Sequence, residues 1–145
     1  METQSFESQN VESQNVEREK VVKDSGKRQD FGTGSVRDSN EGKGRFDLLP
    51  YYSLLKISQH FEDGANKYQE DNWRKGQPLS RYFDSAQRHL AKFAMGFEDE
   101  PHLTAAIWNL LCFIETKKRI ELNQLDKKLD DFPRVKMEFE KDTKI

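Results

Sequence analysis

The sequence predicts an all-α fold, a compact bundle of three to four helices behind a disordered polar tail. Between residues 50 and 122, apolar residues recur at three- and four-residue steps, which is the spacing of one helix face. The first 30 residues carry the pentapeptide ESQNV twice in tandem and have no apolar stripe to bury, so we expect them to be disordered. No segment has a convincing strand pattern.

Composition limits the size of the core. Charged and hydrophobic residues each make up 34 % of the 145 residues, and that apolar share is low for a globular protein. We expect an ordered part of about 75–95 residues, in which a single core is only marginally stable. Because the helices are nevertheless strongly apolar, we expect them to complete their burial against further copies of the chain, as a homo-oligomer.

Charge and cysteine content narrow the possible environments and partners. The net charge of −2 indicates no general affinity for nucleic acid or anionic membranes. The single cysteine, Cys112, cannot form an intrachain disulfide, which suits a reducing cytosol. No stretch has the length of a membrane span, and the polar N-terminus has no signal-peptide h-region. We therefore expect a cytoplasmic protein that does not bind membranes.

The helical core is predicted over residues 50–122. Pro50 suits the first turn of a first helix, Ser80 suits the N-cap of a second, and Pro101 suits the first turn of a third. The third helix, HLTAAIWNLLCFIE, is apolar on nearly every face, which predicts a central, buried position. A glycine-rich, basic lead-in (31–49) precedes the core, and a helical extension (123–145) follows it. The apolar stripes of the first two helices comprise Leu54, Ile57, Ser58, Phe61, Ala65 and Tyr68, then Tyr82, Phe83, Ala86, Leu90, Phe93 and Phe97.

The lead-in combines glycines at positions 32, 34, 42 and 44 with Arg37, Lys43 and Arg45. Glycine lets a backbone approach a ligand closely, and the basic residues supply countercharge to a phosphate. A flexible linker explains the same composition. The segment matches neither a Walker A loop nor a dinucleotide-binding fingerprint.

Asn109 lies in the middle of the apolar third helix. A buried side-chain amide without partners costs about 1–3 kcal/mol. Asn109 shares a face of small and polar residues with His102 and Ala105, where a ligand group would have room. The alternatives are a role in ligand binding and a core asparagine satisfied by another helix.

Acidic residues precede the third helix. Capping and the helix dipole account for one or two of Glu98, Asp99 and Glu100. Three in a row followed by His102 also suit a hard cation, because Mg²⁺ is held by one or two carboxylates together with substrate phosphates. Glu62 borders the apolar stripe of the first helix and is a second candidate ligand or a solvated residue.

Two neighbouring residues of the second helix have equally open interpretations. His89 edges the apolar face, where a histidine is more often a core residue than a ligand. Arg88 faces the other way, along Arg81, Ser85 and Lys92, where solvation alone explains it.

The order of motifs resembles a family. The succession TGSVRD, GKGRFDLLP, FEDGANKYQEDNWRKG, SRYFDSAQRHLAKF and GFEDEPHLTAAIWNLL, over residues 31–115, is similar to the small dATP/dGTP diphosphohydrolases of phages and bacteria. The resemblance implies metal-dependent hydrolysis of dGTP or dATP to the monophosphate and pyrophosphate, with Mg²⁺ or Mn²⁺ as cofactor. It implies the host cytoplasm if a phage encodes the chain.

The resemblance gives the candidate residues roles. The metal would lie among Glu62, Glu98, Glu100 and His102, and Glu62 would also orient the attacking water. A triphosphate carries about four negative charges, which cationic groups must offset. The substrate-binding set comprises Lys43, Arg45 and Lys67 at the phosphates, Trp73 stacking on a purine, Asn72 at a base edge or ribose, and Arg88, His89 and Asn109 around the nucleotide.

Two rival functions remain. The broader MazG-like pyrophosphohydrolases hold Mg²⁺ with Glu-x-x-Glu and Glu-x-x-Asp pairs, whereas Ala106 and Asn109 stand here where acids would be expected. This favours the alternative of a non-catalytic nucleotide-binding, sequestering or interaction module of the same fold. An HD-type phosphohydrolase is disfavoured, because none of the three histidines is followed by aspartate.

Overall fold

The computed structural model describes residues 22–132, which divide into two units. One unit ends at Phe46, and the other begins at Asp47. The predicted tail up to residue 21 and the predicted extension from residue 133 lie outside the described residues.

The first unit contains a small β-hairpin that the sequence did not predict. Strands β1 (Arg28–Asp30) and β2 (Val36–Asp38) pair antiparallel, with Arg28 opposite Asp38. Asp38 accepts hydrogen bonds from Ser25 and, at 2.7 Å, from the Lys43 Nζ, and these bonds lower the pKa of its carboxyl. Residues 28–30, assigned to the disordered tail from sequence, are therefore a strand.

The second unit is helical, as predicted. It contains α1 (Tyr51–Tyr68), α2 (Leu79–Ala94) and α3 (His102–Glu121), and each helix begins directly after a proline. Short 3-10 helices occupy Phe46–Leu48, Asn72–Lys75 and Lys127–Leu129. The last of these is the only helical turn that the described part of the predicted extension contains, because α3 ends at Glu121. None of the described helices is long and apolar enough to cross a membrane.

The N-terminus of α2 is capped from a distance, which corrects the prediction of Ser80 as N-cap. The helix starts at Leu79, and Ser80 lies inside its first turn. The Ser80 backbone N–H and hydroxyl both donate to the Asp131 carboxylate, at 2.9 and 2.7 Å. An acid more than 50 residues later thus satisfies an unpaired donor at the positive end of the helix.

The core forms where α2 packs on α3. Its buried centre is Leu79, Tyr82, Cys112 and Ile120, surrounded by half-buried aromatic residues that include Phe61, Trp73 and Trp108. Burial raises the pKa of the Cys112 thiol to about 12, so this cysteine is a packed, unreactive residue.

Helix α3 presents its small and polar residues to the core, which corrects the prediction of a helix buried on every side. Its buried residues are His102, Ala105, Ala106, Asn109, Cys112, Thr116 and Ile120. The larger aliphatic residues instead form an exposed surface, here called the outer α3 face, which comprises Leu103, Ile107, Leu110, Leu111 and Ile114. Small side chains permit close approach of the neighbouring helices, so they occupy the inward face although they are less hydrophobic.

Candidate metal centre

The turn between α2 and α3 creates the candidate site. Helix α2 is terminated by Gly96, whose φ of 80° suits glycine, and the Phe97 N–H bonds back to the Lys92 carbonyl at 3.0 Å. The chain then reverses and enters α3 after Pro101. This short reversal brings His89, near the end of α2, against His102, the first residue of α3.

Two imidazoles and one carboxylate converge at this reversal. The Nδ1 atoms of His89 and His102 are 3.0 Å apart. The Glu100 Oε2 lies 3.8 Å from the His89 Nδ1 and 3.9 Å from the His102 Nδ1. In the described part of the chain, these three residues form the group that offers three ligand atoms within 4.8 Å of one another.

Asp99 fixes the orientation of His102. The His102 Nε2 is 2.9 Å from the Asp99 Oδ1, and this hydrogen bond lowers the pKa of the Asp99 carboxyl. Because a carboxylate only accepts, the His102 Nε2 carries the proton and donates it. In neutral His102, the Nδ1 lone pair therefore faces His89.

Burial differs among the three ligand candidates. His102 is 2 % exposed, whereas the Glu100 side chain is 54 % exposed. Partial burial lowers the pKa of His89, against the opposing effect of Glu100, and this favours the neutral form that binds a metal. Two imidazoles and a carboxylate are a donor set that fits a divalent metal.

An open depression of about 440 Å³ adjoins this cluster, a size within the range of small-molecule sites. Phe93, Phe97 and Leu103 give it an apolar side, and the acidic segment gives it a polar side. Glu98, Asp99, Glu100, Pro101, His102 and Thr104 complete its lining. A ligand with a flat apolar part and a charged part matches this division.

The structure brings together part of the predicted metal set. Glu100 and His102 lie in the cluster, Glu98 lines the depression, and His89, predicted as a substrate contact, joins the cluster. Glu62 lies on the exposed side of α1, outside the cluster of three ligands. Its predicted role remains a prediction.

Asn109 is buried on the inward face of α3. Its Nδ2 donates to the Ala105 carbonyl one turn earlier, at 2.8 Å, and the residue is 6 % exposed. The amide donor is thus satisfied within its own helix, not by another helix. A contact between Asn109 and a nucleotide remains a prediction.

The polar turn after α1 packs on the core. The half-buried Trp73 ring lies edge-on to Phe61 at 6.2 Å, with the Arg74 guanidinium 5.5 Å from its centre. The Lys75 Nζ lies 3.5 Å from the Asn72 Oδ1. The predicted stacking of Trp73 on a purine therefore competes with packing that the ring already makes.

The remaining predicted contacts are cations on the surface. The Lys67 Nζ lies 5.0 Å from the centre of the Tyr68 ring, and Arg88 pairs with Asp84 at 2.6 Å. Lys43 and Arg45 belong to the hairpin unit, where Lys43 pairs with Asp38. Their roles at a phosphate remain predictions.

Sequence reasoning counted Asp99 among the acidic residues before the third helix but did not pair it with His102. Its spacing of three residues from His102 across a helix N-terminus is a detectable signal, since such a carboxylate reaches the imidazole of the first helical turn. The pairing of His89 with His102 depends on how α2 and α3 pack, and spacing alone does not indicate it.

Comparison with protein families identifies the family of the chain. The model of the dATP/dGTP diphosphohydrolase family, N-terminal, matches residues 33–127, roughly two thirds of the chain. No match is found among curated proteins or among solved structures. The match covers all three helices and the whole candidate metal centre, and the chain belongs to the dATP/dGTP diphosphohydrolase family through this N-terminal domain.

Proposed function

We propose that the chain hydrolyses dGTP or dATP between the α- and β-phosphates, releasing the monophosphate and pyrophosphate with the help of a divalent metal such as Mg²⁺ or Mn²⁺. The observation that carries the proposal is the cluster of His89, Glu100 and His102 beside an open depression, inside the region matched by the family. When bound, the metal would offset the charge of the triphosphate.

In this proposal, different residues around the depression contact different parts of the substrate. The apolar side, with Phe93 and Phe97, suits the face of a purine. The phosphates are proposed to lie at the acidic side, next to the metal ligands. In this proposal Lys67 and Arg88 supply further positive charge, and Glu62 orients the attacking water. Asn109 is another proposed contact of the nucleotide. Trp73 and Asn72 belong to the turn whose Arg74 carbonyl accepts a hydrogen bond from Arg119, near the C-terminal end of α3, so their proposed contacts require a ligand that extends beyond the depression.

The test is product analysis. The full chain is incubated with dGTP and Mg²⁺ or Mn²⁺, and ³¹P NMR distinguishes dGMP with pyrophosphate from dGDP with phosphate. Glu62→Gln should abolish pyrophosphate release without changing the circular dichroism spectrum, whereas Glu70→Gln, an exposed glutamate of the polar turn, should keep wild-type activity. Absence of turnover with every divalent metal contradicts the proposal.

A second candidate function is a nucleotide-binding module without catalysis. Ala106 and the internally bonded Asn109 stand where the MazG-like relatives would carry acids, and this observation favours it. Calorimetry that shows binding of dGTP, together with no release of pyrophosphate, selects this second function.

We further propose that the active form is a homo-oligomer that buries the outer α3 face. Five aliphatic side chains on one helix remain 41–66 % exposed in the single chain. A contiguous exposed surface of this kind is typical of an interface between subunits. The outer α3 face adjoins the depression, because Leu103 belongs to the face and also lines the depression.

A further inference from the structure

We infer that His89, Glu100 and His102 form a two-histidine, one-carboxylate centre that prefers a transition metal such as Mn²⁺, Co²⁺ or Zn²⁺ over Mg²⁺, and that Asp99 is its positioning residue. The inference deepens the proposed function and rests on it for the purpose of the metal. The preference itself follows from the chemistry and spacing of the ligands.

The spacing of the two imidazoles matches one metal ion. Metal–nitrogen bonds to histidine are about 2.0–2.1 Å long. Two nitrogens 3.0 Å apart would then subtend about 90° at the ion, the angle between adjacent positions of an octahedron. A tetrahedral ion requires the two rings to separate by only a few tenths of an ångström, so both geometries are accessible.

The donor types decide between metals. Mg²⁺ takes oxygen ligands and keeps several of its waters, so two imidazoles are a poor exchange for its hydration shell. Imidazole nitrogen suits the later first-row metals, whose affinities rise from Mn²⁺ toward Cu²⁺. With two nitrogens and a single carboxylate at the closest approach, the centre should reject Mg²⁺ relative to Co²⁺ or Zn²⁺.

The geometry needs two adjustments to bind a metal. The ring centres of His89 and His102 are 5.3 Å apart, so the two Nδ1 atoms point directly at each other, and the His89 ring must turn for its lone pair to reach an ion held by His102. The Glu100 Oε2 must move about 1 Å closer to the imidazoles to bond the same ion, and its half-exposed side chain permits this. The metal would replace the proton shared between the two Nδ1 atoms. His102 is already locked in position by burial and by Asp99.

Asp99 acts through His102 and does not reach the ion. Its carboxylate accepts from the far nitrogen of the ring, as the outer-shell carboxylates of metal-bound histidines do. Loss of such a partner typically lowers metal affinity by about 10–100-fold. The Lys92 Nζ, 3.7 Å from the other Asp99 oxygen, holds the carboxylate from the opposite side.

The experiment measures metal binding directly on the full chain. Metal-free protein is titrated with Co²⁺, Mn²⁺, Zn²⁺ and Mg²⁺ by calorimetry, and the d–d absorption of Co²⁺ reports nitrogen ligation. We expect one ion per chain, with Co²⁺ and Zn²⁺ bound at least about tenfold more tightly than Mg²⁺.

Variants locate the binding. Because His102 is buried, the ligand tests use His89→Ala and Glu100→Gln, which should each weaken Co²⁺ binding by at least about tenfold. Asp99→Asn should weaken Co²⁺ binding while keeping the ligand-field spectrum. His60→Ala and Glu70→Gln, a histidine and a glutamate outside the cluster, should leave binding unchanged.

The outcomes separate the inference from the proposed function. Equal affinity for Mg²⁺ and Co²⁺, or unchanged Co²⁺ binding in both His89→Ala and Glu100→Gln, overturns the inference, even if dGTP is turned over with Mg²⁺. Tight Co²⁺ binding that these two variants abolish supports the inference, even if no metal gives pyrophosphate and the proposed function fails.

Discussion

The outer α3 face should hold two copies of the chain together, and Ile114→Glu should separate them. Ile114 is 66 % exposed and the other four members of the face are 41–43 % exposed. Burying these exposed fractions on association is equivalent to burying roughly two whole aliphatic side chains, which contributes about 3–6 kcal/mol per subunit. The burial on both subunits together must exceed an association cost of about 4–15 kcal/mol. The outer α3 face therefore supports a dissociation constant near micromolar at best.

A glutamate at position 114 removes the most exposed member of the face from both subunits. The lost burial is about 2–4 kcal/mol per dimer, which weakens association by about 30-fold or more. The two introduced carboxylates add repulsion if they approach each other across a twofold axis.

Sedimentation velocity between about 1 and about 100 μM should show a wild-type oligomer that the variant loses. The control is Val36→Glu, which adds the same charge at an aliphatic residue of the hairpin that is 53 % exposed, and it should associate like wild type. A wild-type monomer throughout this range, or equal weakening by both variants, contradicts the reasoning.

Three further predictions concern stability and the buried amide. Gly76→Ala should lower the melting temperature more than Gly96→Ala. Both glycines have φ near +80 to +90°, but only the Cβ added at position 76 would lie 2.9 Å from a Leu129 methyl, an overpacking cost of about 1–3 kcal/mol. Equal shifts in thermal unfolding would refute the packing argument. Asn109→Ala should change stability by about 1 kcal/mol or less, since the Ala105 carbonyl keeps its helical partner, while calorimetry should show weaker binding of dGTP; a large loss of stability would assign the amide to the core. Hydrogen bonds from Ser80 lower the pKa of Asp131, so the stability that Asp131 contributes is present above the ordinary aspartate pKa and is lost as pH falls through the lowered value. Asp131→Asn should therefore reduce the fall in the free energy of unfolding at acid pH. An unchanged acid dependence would contradict this prediction.

The helices could be predicted from sequence because their signals are local. Apolar periodicity and the prolines before each helix suffice to find α1, α2 and α3. The hairpin could not be predicted, because its strands are three residues long and depend on side-chain bonds to Asp38 from Ser25 and Lys43. Such bonds join residues that no periodic pattern links.

Which face of α3 points inward could not be predicted for a related reason. Hydrophobicity alone ranks leucine and isoleucine above alanine for burial, whereas close packing of two helices favours the small residues of the inward face. In the candidate site, Glu100 and His102 could be predicted because they are close in sequence. His89 could be placed against them only through the packing of α2 on α3.

Close packing of α2 on α3 is therefore also the condition for the metal centre, and it can be tested without touching a ligand. Ala105 is 3 % exposed and lies one turn after His102, and Ala86 is 2 % exposed and lies one turn before His89. Ala105→Leu should force the helices apart at a cost of about 1–3 kcal/mol. The two Nδ1 atoms would then separate beyond the span of one ion, so calorimetry should show weaker Co²⁺ binding by a variant that is still folded.

The control is Ala91→Leu, on the exposed side of α2, which adds the same side chain without forcing the helices apart and should bind Co²⁺ like wild type. Unchanged binding by folded Ala105→Leu would mean that the turn, not the helix packing, sets the distance between the histidines.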